Sequence, residues 1–145
     1  MRVYLDNCCY NRPYDDQSQL RISLESQAKM AIQMLIRQGK IELVTSYMTI
    51  FENSENPYEM RQSNIGQFQN DYASVYVSSK MDRQVYEIAL EIEKTGIKHK
   101  DACHIACAIL AECDCFLSTD DRLLKYHSNK IKLLNPIEFI KELEV

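Results

Sequence analysis

The stretch Lys100-Asp101-Ala102-Cys103-His104-Ile105-Ala106-Cys107-Ala108-Ile109-Leu110-Ala111-Glu112-Cys113-Asp114-Cys115-Phe116-Leu117-Ser118-Thr119-Asp120-Asp121 decides the fold. Ala102, Ile105, Ala106 and Ile109 recur at helical spacing, which predicts a helix over 100–112 with an apolar inner face. Cys113–Ser118 then reads as a strand, and Asp121–Tyr126 as a short helix. One acid opens the first helix and two more follow the strand.

The same alternation continues in both directions. Upstream, Val85, Ile88, Ala89 and Ile92 place a helix over 81–94, stopped by Gly96. Downstream, 131–134 reads as a strand, and Asn135-Pro136 starts a closing helix that buries Ile137, Phe139 and Ile140. At the other end, Arg2-Val3-Tyr4-Leu5-Asp6 is a strand ending in an acid, followed by a turn-rich stretch to Gln17. Leu24, Ala28, Ala31 and Leu35 follow helical spacing over 18–38, with Ser18 as N-cap and Gly39 as stop. Residues 41–45 alternate as a strand, and Ser46 caps a helix that carries Ile50, Phe51 and Glu52. The polar segment 53–71 has Pro57 at the start of a second, exposed helix, and 75–77 is a short strand. Strands alternating with helices imply parallel pairing with helices on both faces of a sheet. With 145 residues and no internal repeat, the chain reads as one domain over 1–145.

Composition narrows the function classes. Hydrophobic residues at 46% and charged ones at 26% describe a globular chain. No apolar run approaches the roughly 20 residues needed to span a bilayer, and no signal peptide is present, so the expectation is a cytoplasmic protein without a membrane partner. The six cysteines lack paired CxxC spacing with His support, and they read as reduced core thiols rather than zinc ligands. A net charge of −4 works against nucleic-acid binding unless a cation offsets it.

The acids supply a reason for such a cation. In open parallel sheets functional groups gather beyond the C-terminal ends of the strands. Asp6 follows the first strand, Glu52 lies on the helix after the second, Asp101 opens a helix, and Asp120-Asp121 follow the strand over 113–118. Singly, each has an ordinary explanation as a turn residue, cap or solvated side chain. Together they cannot all stay ionised within about 5 Å unless a cation neutralises them. Magnesium takes one or two carboxylates directly and keeps waters and phosphate oxygens as its other ligands. At Asp101 the helix N-terminus favours the ionised form.

Lys100–Ala108 followed by Phe116–Leu124 resembles the second half of a PIN domain. The opening Val3-Tyr4-Leu5-Asp6-Asn7 and the closing Lys132–Phe139 resemble that family too, while residues 53–80 match least and read as a family-specific helical elaboration. The resemblance implies a three-layer α/β/α sandwich with a central, mostly parallel sheet. It also implies an Mg2+- or Mn2+-dependent endoribonuclease acting on single-stranded or structured RNA, most often the toxin of a VapC-type toxin–antitoxin pair. Products with 5′-phosphate and 3′-hydroxyl ends, a cognate antitoxin and a homodimer follow from the same resemblance.

Carried over by position, the catalytic acids are Asp6, Glu52, Asp101 and one acid of Thr119-Asp120-Asp121. Asp121, followed by Arg-Leu-Leu, is the first choice and Asp120 the alternative. Asp6, Asp101 and Asp121 are the expected metal ligands. Asn7, Arg12, Lys100 and Thr119 are candidates for substrate contacts, or else for local turns and solvated surface charge. His104 reads as a hydrogen-bonding core histidine, with a catalytic base as the alternative. Tyr10, Tyr14 and Tyr58 could stack bases, although their spacing does not ask for it.

Two rival readings remain open. A non-catalytic PIN scaffold would bind RNA or a protein without cutting; loss of cutting but not of binding in Asp101→Asn separates it from the enzyme. An aspartyl-phosphate enzyme would use Asp6 covalently, but the phosphatase type wants a second Asp at position 8, where this chain has Cys.

Overall fold

The computed structural model describes residues 1–143. Strand β1 (Arg2–Leu5) leads through the short helix α1 (Asn7–Asn11) and a 3-10 turn at Arg12–Tyr14 into the long α2 (Leu20–Arg37). Next come β2 (Glu42–Ser46), α3 (Tyr47–Ser54), α4 (Glu59–Tyr72), β3 (Ala73–Val77) and, after a 3-10 turn, α5 (Asp82–Glu93). The chain closes with α6 (His99–Leu110), β4 (Cys115–Leu117), α7 (Asp121–Leu124), β5 (Lys132–Leu134) and α8 (Pro136–Leu143). The strands form one sheet in the order β3-β2-β1-β4-β5. Every neighbouring pair is parallel, so the sheet is parallel throughout rather than mostly so.

The period-2 alternation of the strands sorts side chains into two cores. Tyr4, Val44 and Phe116 face one way, into a core completed by α5 and α6. Val3, Leu5, Leu43, Cys115 and Leu117 face the other way, onto Ile32 and Ile36 of α2 and Phe139 of α8. Each large side chain buried like this contributes roughly 1.5–3 kcal/mol. Helix α6 is buried continuously from Ala102 to Ala108, a stretch of small and apolar residues interrupted by His104 alone. Gly39 and Gly96 end α2 and α5 with φ of 72° and 100°, a left-handed conformation that a side chain would strain.

Three local expectations change. Gln19, not Ser18, occupies the N-cap of α2, without a side-chain cap bond. The inner face of α2 is also rotated from the Leu24/Ala28/Ala31/Leu35 stripe: Leu24 is 44% exposed, while Glu25, Ser26, Lys29, Ile32, Gln33 and Ile36 are buried. The cause is a polar interior. Glu25 is enclosed by Arg21, one turn back on α2, and by Arg12 and Asn135, which lie outside that helix. Finally, of Ile137, Phe139 and Ile140 on the closing helix, Phe139 is fully buried and the two isoleucines are half-buried.

Chain order reverses direction at β1, which has β2 on one side and β4 on the other. The crevice at the C-terminal ends of these three strands is where an open parallel sheet presents its functional groups. Among the described residues no helix is long and apolar enough to cross a membrane.

Candidate active site

Asp6 is the first residue beyond β1, and its backbone N–H still bonds Leu117 O at 2.9 Å, so the sheet itself fixes its position. Its carboxylate caps α1, accepting from Asn7 N–H at 2.8 Å, and accepts from Ser118 Oγ at 2.9 Å. Cys8 Sγ stands 3.4 Å from the same Oδ2. Burial pushes the Asp6 carboxyl well above its ordinary value, and Cys8 and Asp101 add to the rise; His104 and Ser118 oppose it.

Asp101, in the first turn of α6, is half-buried. Its carboxyl is raised by burial first and then by Asp120, with Glu52 adding and His104 and Lys98 opposing. Glu52 is held differently. Its Oε1 accepts from His104 Nε2 at 2.6 Å and lies 3.6 Å from Lys100 Nζ. Burial works upward on Glu52, but the His104 hydrogen bond, its charge and Lys100 outweigh it and leave the carboxyl below its ordinary range.

His104 is 1% exposed, a core histidine as expected, and its hydrogen bonds run back into the sheet. Its Nδ1 is 2.6 Å from Tyr4 Oη, which in turn lies 2.6 Å from Ser46 Oγ and 2.8 Å from Thr49 Oγ1. Burial keeps the Tyr4 phenol neutral. In every proton arrangement that satisfies the chain Nε2–H donates to Glu52, while Nδ1 and the Tyr4 hydroxyl share the second hydrogen bond. Thus β1, β2, α3 and α6 jointly fix the Glu52 carboxylate.

The two acids after β4 separate. Asp120 caps α7 by accepting from Arg122 N–H at 2.9 Å, and its own N–H donates to Ser118 Oγ at 3.1 Å. Ser118 therefore ties the Asp120 turn to Asp6, and Asp120 acts electrostatically on Asp101. Asp121 instead makes a two-pronged pair with Arg21, both bonds 2.7 Å, at the surface. The structure thus groups Asp6, Glu52, Asp101 and Asp120, and places Asp121 with α2.

The substrate-contact candidates divide as well. Arg12 is 3.1 Å from Asp15 and 3.0 Å from Glu25, so its charge is spent within the scaffold. Lys100 is exposed beside Glu52. Thr119 is 6% exposed, with its N–H on Cys8 Sγ at 3.4 Å. The Asn7 amide oxygen is buried without a hydrogen-bond partner. Sequence reasoning missed Ser118, Cys8 and Tyr4. Ser118 and Cys8 carried a signal, a small polar side chain adjoining an acid at a strand end, whereas Tyr4 looked like any strand aromatic. All six cysteines are free, five of them buried and Cys8 half-buried beside Asp6.

Among the described residues no three His, Cys, Asp or Glu side chains stand together as a ready-made metal-binding group. The donor chemistry nonetheless suits a hard divalent cation. Oxygen ligands dominate, and the Asp6 and Asp101 carboxyls are raised by burial first and by neighbouring acidic groups second, with no salt-bridge partner among the described residues.

No protein-family model and no curated protein matches the chain. Solved structures do match. VapBC2 from Rickettsia felis, bound to a DNA fragment from its promoter, shares 13% identity with a TM-score of 0.57, over 93% of this chain and 98% of that one. FitAcB from Neisseria gonorrhoeae shares 15% identity with a TM-score of 0.60, over 92% and 97%. FitAB bound to an IR36 DNA fragment shares 15% with a TM-score of 0.58, over 93% and 95%. At such identities the likeness is one of fold, but it runs through nearly the whole of each chain. The all-parallel sheet, the helices on both its faces and this end-to-end likeness agree: the chain has a PIN-like α/β fold, shared with chains of the VapBC2 and FitAB structures.

Proposed function

We propose that the chain is an Mg2+- or Mn2+-dependent endoribonuclease, acting on single-stranded RNA as the toxin of a toxin–antitoxin pair. One observation carries the reading: Asp6, Glu52, Asp101 and Asp120 surround the C-terminal ends of the central strands, and burial together with mutual repulsion raises Asp6 and Asp101. Such an arrangement costs stability and is kept where a cation or a reaction uses it.

Asp6 and Asp101, with Asp120 beside them, would hold the cation. When bound, it would supply charge neutralisation and water activation at a phosphodiester. The chain's own residues do the positioning. Ser118 and the Asn7 N–H fix both oxygens of Asp6, and the Tyr4–His104 chain fixes Glu52. Lys100, and Lys98 near Asp101, are the cations placed to meet a phosphate backbone.

The solved neighbours are complexes, which supports a cognate antitoxin; that it covers the acidic group with a basic side chain is part of the same proposal. A homodimer and a cytoplasmic location belong to the same reading, and the mass in solution tests the dimer. Purified protein incubated with labelled single-stranded RNA, with EDTA, Mg2+ or Mn2+, tests the activity beside an Asp6→Ala/Asp101→Ala double variant. Metal-dependent cutting lost in the variant is the expected result. RNA bound but never cut would instead favour the non-catalytic scaffold.

A further inference from the structure

Helices α2 and α4, with Tyr10 of α1 and Tyr14, line a half-open cavity of about 390 Å3 that no residue of the acidic group lines. Two cations stand in its wall. Lys29 is 6% exposed, and among the described residues its Nζ has a single hydrogen-bond acceptor, Gln33 Oε1 at 2.5 Å. The same Nζ is 5.7 Å from the ring centres of both Tyr10 and Phe68. The Arg37 guanidinium lies 5.7 Å from Phe68 and 5.6 Å from Tyr72.

Neither cation forms a salt bridge among the described residues. The acid in the wall, Asp71, is exposed and accepts from Gln67. A third donor is idle as well: Tyr10 is 1% exposed, and its hydroxyl has no hydrogen-bond partner. A buried ammonium and a buried hydroxyl in this condition are costly, and aromatic faces return only part of the lost hydration. Burial accordingly pushes the Lys29 ammonium down to about 8, with Cys9 opposing and Arg37 adding to the shift.

We propose that this cavity is a phosphate-binding site, in which Lys29, Arg37 and Tyr10 are the donors. A phosphate group supplies what the wall lacks: up to two negative charges and several acceptor oxygens, with a pair of them suited to the guanidinium fork. Its source is either the free ion or a small phosphate monoester. The site is separate from the proposed cutting centre and does not depend on that reading.

The test uses the full chain in EDTA, so that no cation can carry phosphate to the acidic group. Thermal unfolding is followed with inorganic phosphate and with adenosine monophosphate, each against sodium chloride at matched ionic strength. The expected result is a Tm that climbs with ligand concentration beyond the chloride control. Arg37→Gln and Tyr10→Phe should each weaken the response about tenfold, as the loss of a charge-assisted or buried donor does. Tyr10→Phe should do so without lowering the Tm of the free protein, because it removes an unpaired hydroxyl. Lys29→Met should abolish the response, and should it fail to fold the other two variants decide. Stabilisation by phosphate identifies the free ion, and stabilisation by the nucleotide alone identifies the monoester. No rise with either ligand, or a rise kept in full by Arg37→Gln and Tyr10→Phe, overturns the proposal.

Discussion

Glu25 and Asp6 are both buried carboxylates, 0% and 8% exposed, yet the fold treats them in opposite ways. Glu25 lies 3.0 Å from Arg12 Nε and 3.2 Å from Arg21 Nε, and also accepts from the Asn135 amide. Asp6 is held by a backbone N–H, a serine hydroxyl and a thiol, with no ion-pairing cation among the described residues. The first acid joins α2 to the segments around Arg12 and Asn135. The second sits at a sheet edge with its charge uncompensated. A carboxylate that the chain has already paired is scaffold, and one left unpaired at a strand end is available to a ligand.

Removing the paired acid should have the largest effect. Glu25→Ala removes the buried carboxylate shared by Arg12, Arg21 and the Asn135 amide. The two guanidinium groups keep Asp15 and Asp121, and the loss is expected at the low end for a buried pair broken from one side, ~3 kcal/mol. Denaturant unfolding measures this directly. A loss under ~1 kcal/mol, the range of exposed pairs, would break the comparison.

The unpaired acids should behave in reverse. Asp6→Asn and Asp101→Asn are expected to lower RNA cleavage by ~100- to 1,000-fold, the scale of removing one preorganised electrostatic contributor. The metal-free variants should meanwhile be no less stable than the parent. A carboxyl whose folded value is raised contributes stability that is complete below its unfolded value and lost as pH rises through the folded one. Asp6 and Asp101 are both raised from 3.8. The metal-free protein should therefore lose stability as pH rises from about 4 toward neutrality, and Asp6→Asn should flatten that slope. Glu52, held below its ordinary range, contributes in the opposite sense, with stability lost as pH falls through its folded value. A steeper slope in Asp6→Asn would show that this carboxylate is compensated after all.

Between these two extremes lies Glu52, which is compensated by a side chain that is itself positioned. Tyr4→Phe removes the hydroxyl that orients His104 and should slow cleavage about tenfold, the scale of one net hydrogen bond. The effect should fall on kcat rather than KM, because Tyr4 is buried behind His104, away from any substrate. An unchanged kcat would mean that Glu52 needs no such support.

How much of this the sequence disclosed depends on the range of the interactions. The strands and α6 were legible because their patterns repeat every two or every three to four residues and their neighbours agree. The ends of α2 and α5 were legible through Gly39 and Gly96, whose conformation is local. The packed face of α2 was not. Its inner side carries Glu25, Lys29 and Gln33, and those polar groups are tolerable inside only because of residues such as Arg12 and Asn135, which no periodicity within α2 can reveal. In the same way Asp6, Asp101 and Glu52 could be placed by strand order, whereas the Tyr4–His104 link joins residues 100 apart in sequence.

The smallest effect separates the adjacent acids Asp120 and Asp121, which sequence alone left as alternatives with Asp121 in front. Residues in neighbouring positions share every local pattern, so only their partners distinguish them. Asp121 is paired with Arg21 at the surface and held below its ordinary range by that bond. Asp120 is linked through Ser118 to Asp6 and acts on Asp101. Asp121→Asn should accordingly change cleavage by less than about threefold, as expected of an exposed pair. Asp120→Asn should lower it about tenfold while keeping the cap, since Asn caps helices as well as Asp does. Parallel cleavage assays of the two variants, with Tm as the control for folding, decide the order. If Asp121→Asn proves the more damaging, the Arg21 pair must open when RNA or a cation binds, and the division between paired scaffold and unpaired ligand would have to be drawn in the bound state.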